Sequence, residues 1–368
     1  LFPASGENFI PEIFTPLFKE RTAYVSLAYH LRKIPLSLRP LENDWERNVK
    51  MRVRFGYVAI ALNLQNVSTS KTITLTNLQK LPDAESKKLR LMRLVKENLD
   101  NIKRVILYNR GEGIHVYRLT SKVVPFATYP LEFSWDYLNE FAPEFKELGN
   151  LIRDTGLRVS AHPDHFTVIN TPDERVFAES VKDLEYHQSM FAAMGLDNSA
   201  KLVTHVGGFY KDKPGSILRF KENFSRLPEA VQGRITLEND DKIYTLEDVL
   251  AICQEIKIPM VFDLHHHQCN PKGDISQLLG LIWETWSGLT AKIHVSSPKC
   301  QKEFRHHADY VAPETVWDFL QIARKVGKDF DVMVEAKMKD QAMFRLVREL
   351  SQYPEVTLVD PTTLEIPS

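Results

Sequence analysis

The feature that most constrains the fold is an alternation of short apolar segments with segments that carry apolar residues at helical spacing. The apolar runs are continuous, as expected for parallel strands that are covered on both faces. Eight such strand–helix units predict an α/β fold, the (β/α)8 TIM barrel. The predicted strands cover 53–58, 114–118, 157–161, 202–206, 235–238, 259–263, 291–295 and 331–335. The predicted helices cover about 86–110, 135–155, 174–195, 216–225, 245–257, 275–286, 313–326 and 340–351.

The first part of the chain differs from the rest. Residues 1–50 show no clear period and contain five prolines, Pro3, Pro11, Pro16, Pro35 and Pro40. Met51 stands directly before the first convincing strand. We therefore predict an N-terminal extension over 1–50, of unknown role, and a TIM-barrel domain over 51–368.

Six consecutive predicted strands, the third to the eighth, end in residues that commonly bind metals. The residues are His162, His205, Glu238, Asp263 with the nearby His266, His294 and Glu335. Any one of them alone would more often be a structural hydrogen-bonded group or a helix cap. In a TIM barrel, however, the carboxyl ends of the strands surround the active site, so these residues would converge on one pocket.

A pocket with several carboxylates is favourable only when cations neutralise the charge. The mixture of nitrogen and oxygen ligands favours manganese, zinc or iron over calcium. The number of ligands is too large for one ion and indicates two or three. Because sites of this kind suit in-line displacement at phosphorus, the predicted reaction is phosphodiester hydrolysis.

Short motifs, in the same order along the chain, resemble those of the UV damage endonuclease family (UvdE), a TIM-barrel family related to endonuclease IV. The resemblance runs from about Met51 to about Leu346. The motifs are Arg54-Phe-Gly-Tyr57, Tyr117-Arg-Leu-Thr-Ser121, Pro125-Phe-Ala127, Ala161-His-Pro163, His205-Val-Gly-Gly208, Leu237-Glu-Asn-Asp-Asp-Lys242, Phe262-Asp263 with His265-His266, Lys292-Ile-His-Val-Ser-Ser-Pro298 and Val334-Glu-Ala-Lys337.

The resemblance implies a DNA repair endonuclease that acts on damaged double-stranded DNA. Such an enzyme nicks the backbone immediately 5′ of cyclobutane pyrimidine dimers and 6-4 photoproducts, and leaves a 3′-hydroxyl and a 5′-phosphate. It implies two or three divalent metal ions, with Mn2+ favoured and Zn2+, Co2+ or Mg2+ as alternatives.

The resemblance also implies roles for individual residues. Lys292 matches a family lysine that can be carboxylated, and we expect Glu238, Glu335 and Lys292 to be catalytic. Tyr57, His165 and Phe166 are assigned to the gap left by flipped-out bases. Lys337 is the best candidate for a contact with the scissile strand because it lies two residues after Glu335. The implied metal ligands are His162, His205, Glu238, Asp263, His266, Lys292, His294, His307 and Glu335.

The chain departs from the family pattern in two places. Tyr129 stands where a histidine ligand is expected, so one metal position is in doubt. His165-Phe166 stands where Gln or Asn followed by Tyr or Phe is usual, and His165 as a third-metal ligand is an alternative. Cys269, near the histidines, is a less favoured alternative ligand.

Three other functions stay open at this point. One is a sugar isomerase or epimerase of the same barrel type, and another is an abasic-site enzyme like endonuclease IV. The third is a DNA-binding protein that lost catalysis at Tyr129. The surplus of histidines counts against the first, and the Lys-x-His motif at Lys292, where endonuclease IV has Asp-x-His, counts against the second.

Composition limits the partners and the compartment. The net charge of −1 gives no global field for a polyanion, so a nucleic-acid surface must be local. Three cysteines without a CxxC pair favour a reducing compartment, and we predict a cytoplasmic protein. No apolar run is long enough to span a membrane, and no signal peptide is recognised. Access of duplex DNA to the strand ends is simplest for a monomer.

Overall fold

A computed structural model describes residues 50–368, which form a closed barrel of eight parallel strands with helices outside it. The prediction of a TIM barrel is confirmed. Nearly all of the predicted extension lies outside the described residues, so its boundary stays a prediction. The barrel strands are β1 (Lys50–Val58), β2 (Val116–Leu119), β3 (Arg158–Ala161), β4 (Lys201–Thr204), β5 (Ile235–Glu238), β6 (Met260–Asp263), β7 (Ala291–Val295) and β8 (Phe330–Val334).

The helices follow the strands in the order expected of a (β/α)8 barrel. A 3-10 turn, Gln301–Glu303, lies between β7 and the helix after it. The α-helices are α1 (Leu75–Gln79), α2 (Ala84–Gly111), α3 (Tyr137–Glu140), α4 (Ala142–Thr155), α5 (Glu174–Ala193), α6 (Lys213–Ser225), α7 (Glu229–Gln232), α8 (Leu246–Ile256), α9 (Leu264–Cys269), α10 (Ile275–Glu284), α11 (Pro313–Ala323) and α12 (Lys339–Leu350).

Local sequence explains why these segments begin and end where they do. Every residue of β5 to β8 is buried, which fits their continuous apolar runs. Helix α8 begins with a capping box, in which Thr245 and Asp248 each accept a backbone N–H of the other. Helix α4 ends at Gly156, whose φ of 63° is the left-handed conformation that glycine adopts without strain.

The barrel closes where β1 meets β2. Gly56 pairs with Val116 across this junction. A Cβ atom on Gly56 would lie 2.2 Å from the carbonyl oxygen of Val116, so only glycine allows this approach. The side chains alternate along β1, so that Arg54 and Tyr57 point to opposite faces.

Two strands and several short helices were not predicted. Residues after α12 form an antiparallel hairpin of β9 (Thr357–Asp360) and β10 (Thr363–Pro367). Strand β10 pairs with residues 50–54 of β1, the part of that edge which β2 does not cover. The predicted helix 135–155 is two helices divided at Phe141, and α1, α7 and α9 are additional.

The interior at the amino end of the barrel contains charges where aliphatic side chains are common. Asp331 of β8 is fully buried and accepts bonds from Arg54 Nε at 2.7 Å and from Arg158. Lys292 lies level with Asp331 in the β7–β8 register, and its Nζ donates to Ser160 Oγ at 2.9 Å. These residues form a polar base below the strand ends.

No helix among residues 50–368 is both long and apolar enough to cross a membrane.

Candidate metal centre

Seven predicted ligands from six consecutive strands meet at the carboxyl end of the barrel. Their ligand atoms form three overlapping groups, and within each group the atoms lie within 4.8 Å of one another. Glu238 belongs to two groups and Asp263 to two, so these carboxylates link neighbouring positions. The groups are His162, His205 and Glu238; Glu238, Asp263 and His266; and Asp263, His294 and Glu335.

Glu238 is the centre of this arrangement because imidazoles surround both of its oxygens. Its Oε2 lies 3.4 Å from His162 Nε2 and 3.8 Å from His205 Nε2. Its Oε1 lies 3.0 Å from His294 Nδ1. Burial would raise the pKa of the carboxyl, but His294 and the other imidazoles outweigh burial and hold the pKa well below its usual range. Glu238 is therefore held as the anion that a metal ligand must be.

Asp263 and His266 are fixed by the way β6 turns into α9. The Asp263 side chain caps the helix by accepting the His266 N–H at 2.7 Å. Asn239 then holds both residues: its Nδ2 donates to Asp263 O at 2.9 Å, and its carbonyl oxygen lies 2.9 Å from His266 Nδ1. Burial, with the charges of Glu238 and Glu335, raises the pKa of Asp263 to about 7. Burial would lower the pKa of His266, but Asp263 outweighs it and raises the pKa to about 9.

Glu335 brings β2 into the site through Arg118, which forms an ion pair with it. His294 Nδ1 lies 3.1 Å from Glu335 Oε1. Burial opposes ionisation of Glu335, but Arg118 and then His294 outweigh it and lower the pKa. Arg118 had no assigned role in the sequence interpretation, although a charge inside an otherwise apolar strand was a usable signal.

Several buried atoms of the cluster lack a hydrogen-bond partner among the described residues. They include Glu238 Oε2, Asp263 Oδ2, His294 Nε2 and His205 Nδ1. Buried polar atoms are rarely left unsatisfied, since each costs about 1–3 kcal/mol. His162 Nδ1 lies 2.9 Å from the carbonyl oxygen of Pro163, a bond that leaves Nε2 free as a ligand. The residues present thus fit divalent metal ions.

Two predicted ligands lie beside these groups and not within them. His307 Nδ1 is 3.9 Å from Glu335 Oε2, and its ring centroid is 6.4 Å from that of His266. Lys292 is 2% exposed, and burial, with the charge of Arg158, lowers the pKa of its amine well below the ordinary value. Their assignment as ligands stays a prediction.

Of the residues predicted to contact DNA, three are exposed and one is buried. His165 and Phe166 are exposed at a loop after β3, with ring centroids 4.0 Å apart. Lys337 is exposed and lies 3.9 Å from Asp309. For Tyr57 the prediction is wrong: the side chain is fully buried on the outer face of β1, and its hydroxyl donates to Asn109 Oδ1 at 2.7 Å.

Tyr129 and Cys269 contribute nothing to the three groups. Tyr129 packs edge-on against Phe126, with ring centroids 5.6 Å apart, in a separate groove beside Leu75. Cys269 Sγ lies 3.8 Å from His265 Nε2, one position removed from the ligand His266. The alternatives in which Cys269 or His165 binds a metal gain no support.

The fold and the site define a class, the (β/α)8 barrel proteins whose strand ends carry a multi-ligand centre for divalent metals. The model of the UV-endonuclease UvdE family matches residues 53–366, and the chain belongs to that family. It is accordingly an endonuclease that acts on DNA, with a role in DNA repair.

Individual relatives agree with this assignment. A UV DNA damage endonuclease of Bacillus cereus (strain 03BB102) is 42% identical over 318 residues, which cover 86% of this chain and all of that protein. A protein of the same description from Bacillus thuringiensis subsp. konkukian (strain 97-27) is 41% identical over 318 residues, with the same coverage. The crystal structure of SacUVDE is similar with a TM-score of 0.73 at 28% identity, covering 82% of this chain and 98% of that chain.

Proposed function

We propose that this enzyme nicks the DNA backbone immediately 5′ of UV photoproducts by metal-assisted hydrolysis and leaves a 3′-hydroxyl and a 5′-phosphate. Cyclobutane pyrimidine dimers and 6-4 photoproducts are the proposed lesions. The observation that carries the proposal is the convergence of seven donor residues at one end of the barrel. A cavity of about 420 Å3 opens beside them and is lined by His162, His205 and His266.

Two or three divalent ions, with manganese favoured, would be held by the three groups around Glu238 and Asp263. Both carboxylates belong to two groups, so each would contribute to holding more than one ion. Bound ions would lower the pKa of water and neutralise negative charge on the phosphate. His307 would complete the ligand set at the side of Glu335.

Residues of the chain prepare this centre in three ways. The imidazoles around Glu238 and the guanidinium of Arg118 beside Glu335 keep both carboxylates ionised. Asn239 fixes the orientation of Asp263 and His266 by its hydrogen bonds. The polar base at Asp331 supports the strands from below. Orientation of this kind contributes to catalysis because the ligands need no rearrangement during the reaction.

Lys292 is proposed to be carboxylated. Its lowered pKa favours the neutral amine, whose nitrogen lone pair can attack carbon dioxide. The new N–C bond gives a carbamic acid that loses its proton and becomes an anionic ligand. This change would convert the Lys292 amine, which donates to Ser160 Oγ, into a carboxylate two residues from His294 along β7.

DNA recognition is proposed to involve the exposed loop after β3. His165 and Phe166 are exposed and packed against each other. Insertion of such side chains would offset part of the unstacking energy of a flipped lesion, about a few kcal/mol. Lys337 would contact a phosphate of the scissile strand. We propose that the enzyme works as a monomer in the cytoplasm.

The test is nicking of an end-labelled duplex with one cyclobutane dimer, compared with undamaged and abasic-site duplexes, with manganese or with chelator. We expect manganese-dependent cleavage immediately 5′ of the dimer, with a 3′-hydroxyl that a polymerase can extend and a 5′-phosphate that a phosphatase can remove. Cleavage at the abasic site alone would assign an activity like that of endonuclease IV. No cleavage, with turnover of a ketose, would assign the sugar-enzyme function.

A matched pair of variants tests the site. Glu335→Gln removes a proposed ligand and should lower nicking by at least about a thousandfold. Glu349→Gln, on α12 and paired with Arg345, should nick like the parent. Equal nicking by both variants would contradict the mechanism.

A further inference from the structure

A pair of exposed aromatic side chains lies on the loop between β4 and α6. Phe209 is 45% exposed and Tyr210 is 44% exposed. The hydroxyl of Tyr210 has no hydrogen-bond partner among residues 50–368. Contiguous exposed apolar surface commonly marks a binding site when other observations point to a ligand. Neither residue has a role in the metal centre described above.

The backbone of this loop is strained. Tyr210 has a φ of 48° and Lys211 a φ of 59°, both in the left-handed region that side chains other than glycine rarely adopt. Two such residues in succession raise the energy of the loop. Strain of this kind persists only where the surroundings fix the conformation, and it concentrates at functional sites.

Buried polar contacts fix the base of the loop. Asn170 is fully buried; its Oδ1 accepts the Gly208 N–H at 2.8 Å, and its Nδ2 donates to Gly208 O at 2.7 Å. The hydroxyl of Tyr244, also buried, donates to the same carbonyl at 2.8 Å. A Cβ atom on Gly208 would lie 2.5 Å from the Tyr210 ring, so this glycine lets the ring fold back. The sequence Gly207-Gly208 therefore serves to place Tyr210.

Arg219 of α6 holds the aromatic ring itself. Its guanidinium carbon lies 5.1 Å from the Tyr210 ring centroid, a cation–π distance. Its Nε donates to Asn170 O at 2.8 Å, and its Nη2 donates to Ser216 Oγ at 3.2 Å. Ser216 Oγ in turn donates to Phe209 O at 2.9 Å. These contacts hold the loop in a conformation that exposes the rings of Phe209 and Tyr210.

The loop between β4 and α6 adjoins the candidate metal centre. Gly207 and Gly208 line the 420 Å3 cavity together with the ligands His162 and His205. His165, from the preceding strand–helix loop, lines the same cavity. The loop that carries Phe209 and Tyr210 and the loop that carries His165 and Phe166 thus both contribute to this cavity. Lys211, next to Tyr210, is exposed and available to a phosphate.

We propose that Phe209 and Tyr210 are a second DNA contact, whose rings stack against unpaired bases of a duplex opened at the metal centre. The inference rests on the proposed endonuclease function and names residues that hold its substrate. A base offers a flat π face, and stacking on an aromatic side chain is tolerant of sequence. If aromatic rings stacked on unpaired bases from two sides, the two DNA strands would stay separated during the reaction. The backbone would then be presented to Glu238 and its neighbours.

The test uses the full-length protein and compares Phe209→Ala, Tyr210→Ala and the double variant with the parent. Binding to the single-dimer duplex is measured in chelator by fluorescence anisotropy, and nicking is measured under single turnover at saturating protein. We expect each single variant to bind about tenfold more weakly and the double variant about a hundredfold. Nicking at saturation should stay within about threefold of the parent. The melting temperature should fall by no more than about a few degrees, because both rings are half exposed and the Tyr210 ring loses only its contact with Arg219.

A second readout separates stacking from a structural role. The base analogue 2-aminopurine, placed opposite the dimer, should become brighter when the parent opens the duplex and much less so with the double variant. Tyr210→Phe keeps the ring and should restore both signals. Leu218→Ala, on α6 and 53% exposed, removes an apolar side chain nearby and should behave like the parent.

The outcomes distinguish the two proposals. A parent that binds but does not nick any duplex removes the proposed function, and a parent that neither binds nor nicks removes both proposals. A parent that nicks, together with a double variant that binds within about twofold of it, removes the present inference alone. A loss of binding in Leu218→Ala equal to that in Tyr210→Ala would also contradict it, because the effect would then be general to the surface.

Discussion

Arg118 of β2 forms an ion pair with Glu335 at the end of β8, although β1 lies between these two strands in the barrel. The strands from β3 to β8 supply the proposed metal ligands, whereas β2 supplies a cation that holds the carboxylate of one of them. Arg118 thereby fixes both the charge and the position of Glu335.

Arg118→Met is expected to make metal binding sensitive to acid. Burial raises the pKa of Glu335, and Arg118 lowers it to below its ordinary value. Without the guanidinium, the folded-state pKa of Glu335 rises. As the solution is acidified, the carboxylate therefore becomes protonated at a higher pH than in the parent. We expect manganese affinity near that of the parent at pH 8 and about tenfold weaker at pH 5.5, because each pKa unit changes occupancy tenfold.

Isothermal titration of manganese into metal-free protein at the two pH values checks this prediction. Lys337→Met removes an exposed cation two residues from Glu335 and should leave both affinities unchanged. The ratio of manganese affinities at the two pH values can also be compared directly. If it is the same in Arg118→Met and in the parent, Arg118 does not control the ionisation of Glu335.

Lys292→Met is expected to stabilise the protein and abolish nicking. Burial and Arg158 lower the pKa of this amine, so the folded state binds fewer protons than the unfolded state below the ordinary pKa. The contribution of Lys292 to stability therefore rises with pH, and it is least favourable in acid. Methionine has a similar length and no charge, and should raise the free energy of unfolding by about 1–2 kcal/mol at pH 9 and by more at pH 6.

The measurement is urea unfolding of metal-free protein in buffer depleted of carbon dioxide. Lys201→Met serves as the control, since Lys201 is also buried but bonds to Gly233 O at 2.8 Å, away from the ligands. It should nick like the parent. Carbon-13 bicarbonate should give a carbamate signal in the parent and in Lys201→Met, but not in Lys292→Met; its absence from all three would remove the carboxylation proposal.

Much of the fold could be predicted because the strands are short and buried on both faces. Strands β3, β5, β6 and β7 end at the residue where the apolar pattern predicts the end. Seven of the nine predicted ligands are in the three groups, because strand ends must converge once the barrel closes. The pattern of metal-binding residue types at the strand ends thus predicted the place of the candidate metal centre.

The remaining errors have local causes. Tyr57 was misplaced because a motif does not show which face of a strand a residue occupies. Since Arg54 points into the barrel toward Asp331, Tyr57, three residues later, points outward toward Asn109. The β9–β10 hairpin was missed because these strands pair antiparallel at an edge and lack a continuous apolar run. Arg118 was missed because its partner is distant in sequence.

Asp331→Asn is expected to destabilise the protein by about 3 kcal/mol, since it leaves the partly buried guanidinium groups of Arg54 and Arg158 without their anion. Urea unfolding in metal-free buffer measures the change. Asp329→Asn, two residues earlier and exposed, should leave the midpoint close to that of the parent. A shift in Asp331→Asn no larger than this control would mean that the polar base does not support the barrel.

Tyr129→His is expected to leave the number of bound metal ions unchanged, although it restores the residue expected from the family pattern. The Tyr129 side chain is 46% exposed and lies in a groove with Leu75 and Pro130, apart from all three ligand groups. An imidazole at this position would face the groove, so a new metal ligand would require the loop to refold. Elemental analysis of the manganese-loaded protein should therefore give the same stoichiometry for parent and variant, and both should nick dimer-containing DNA at equal rates. A gain of one ion per protein with faster nicking would show that the loop reaches the centre, and that the parent is limited by the tyrosine.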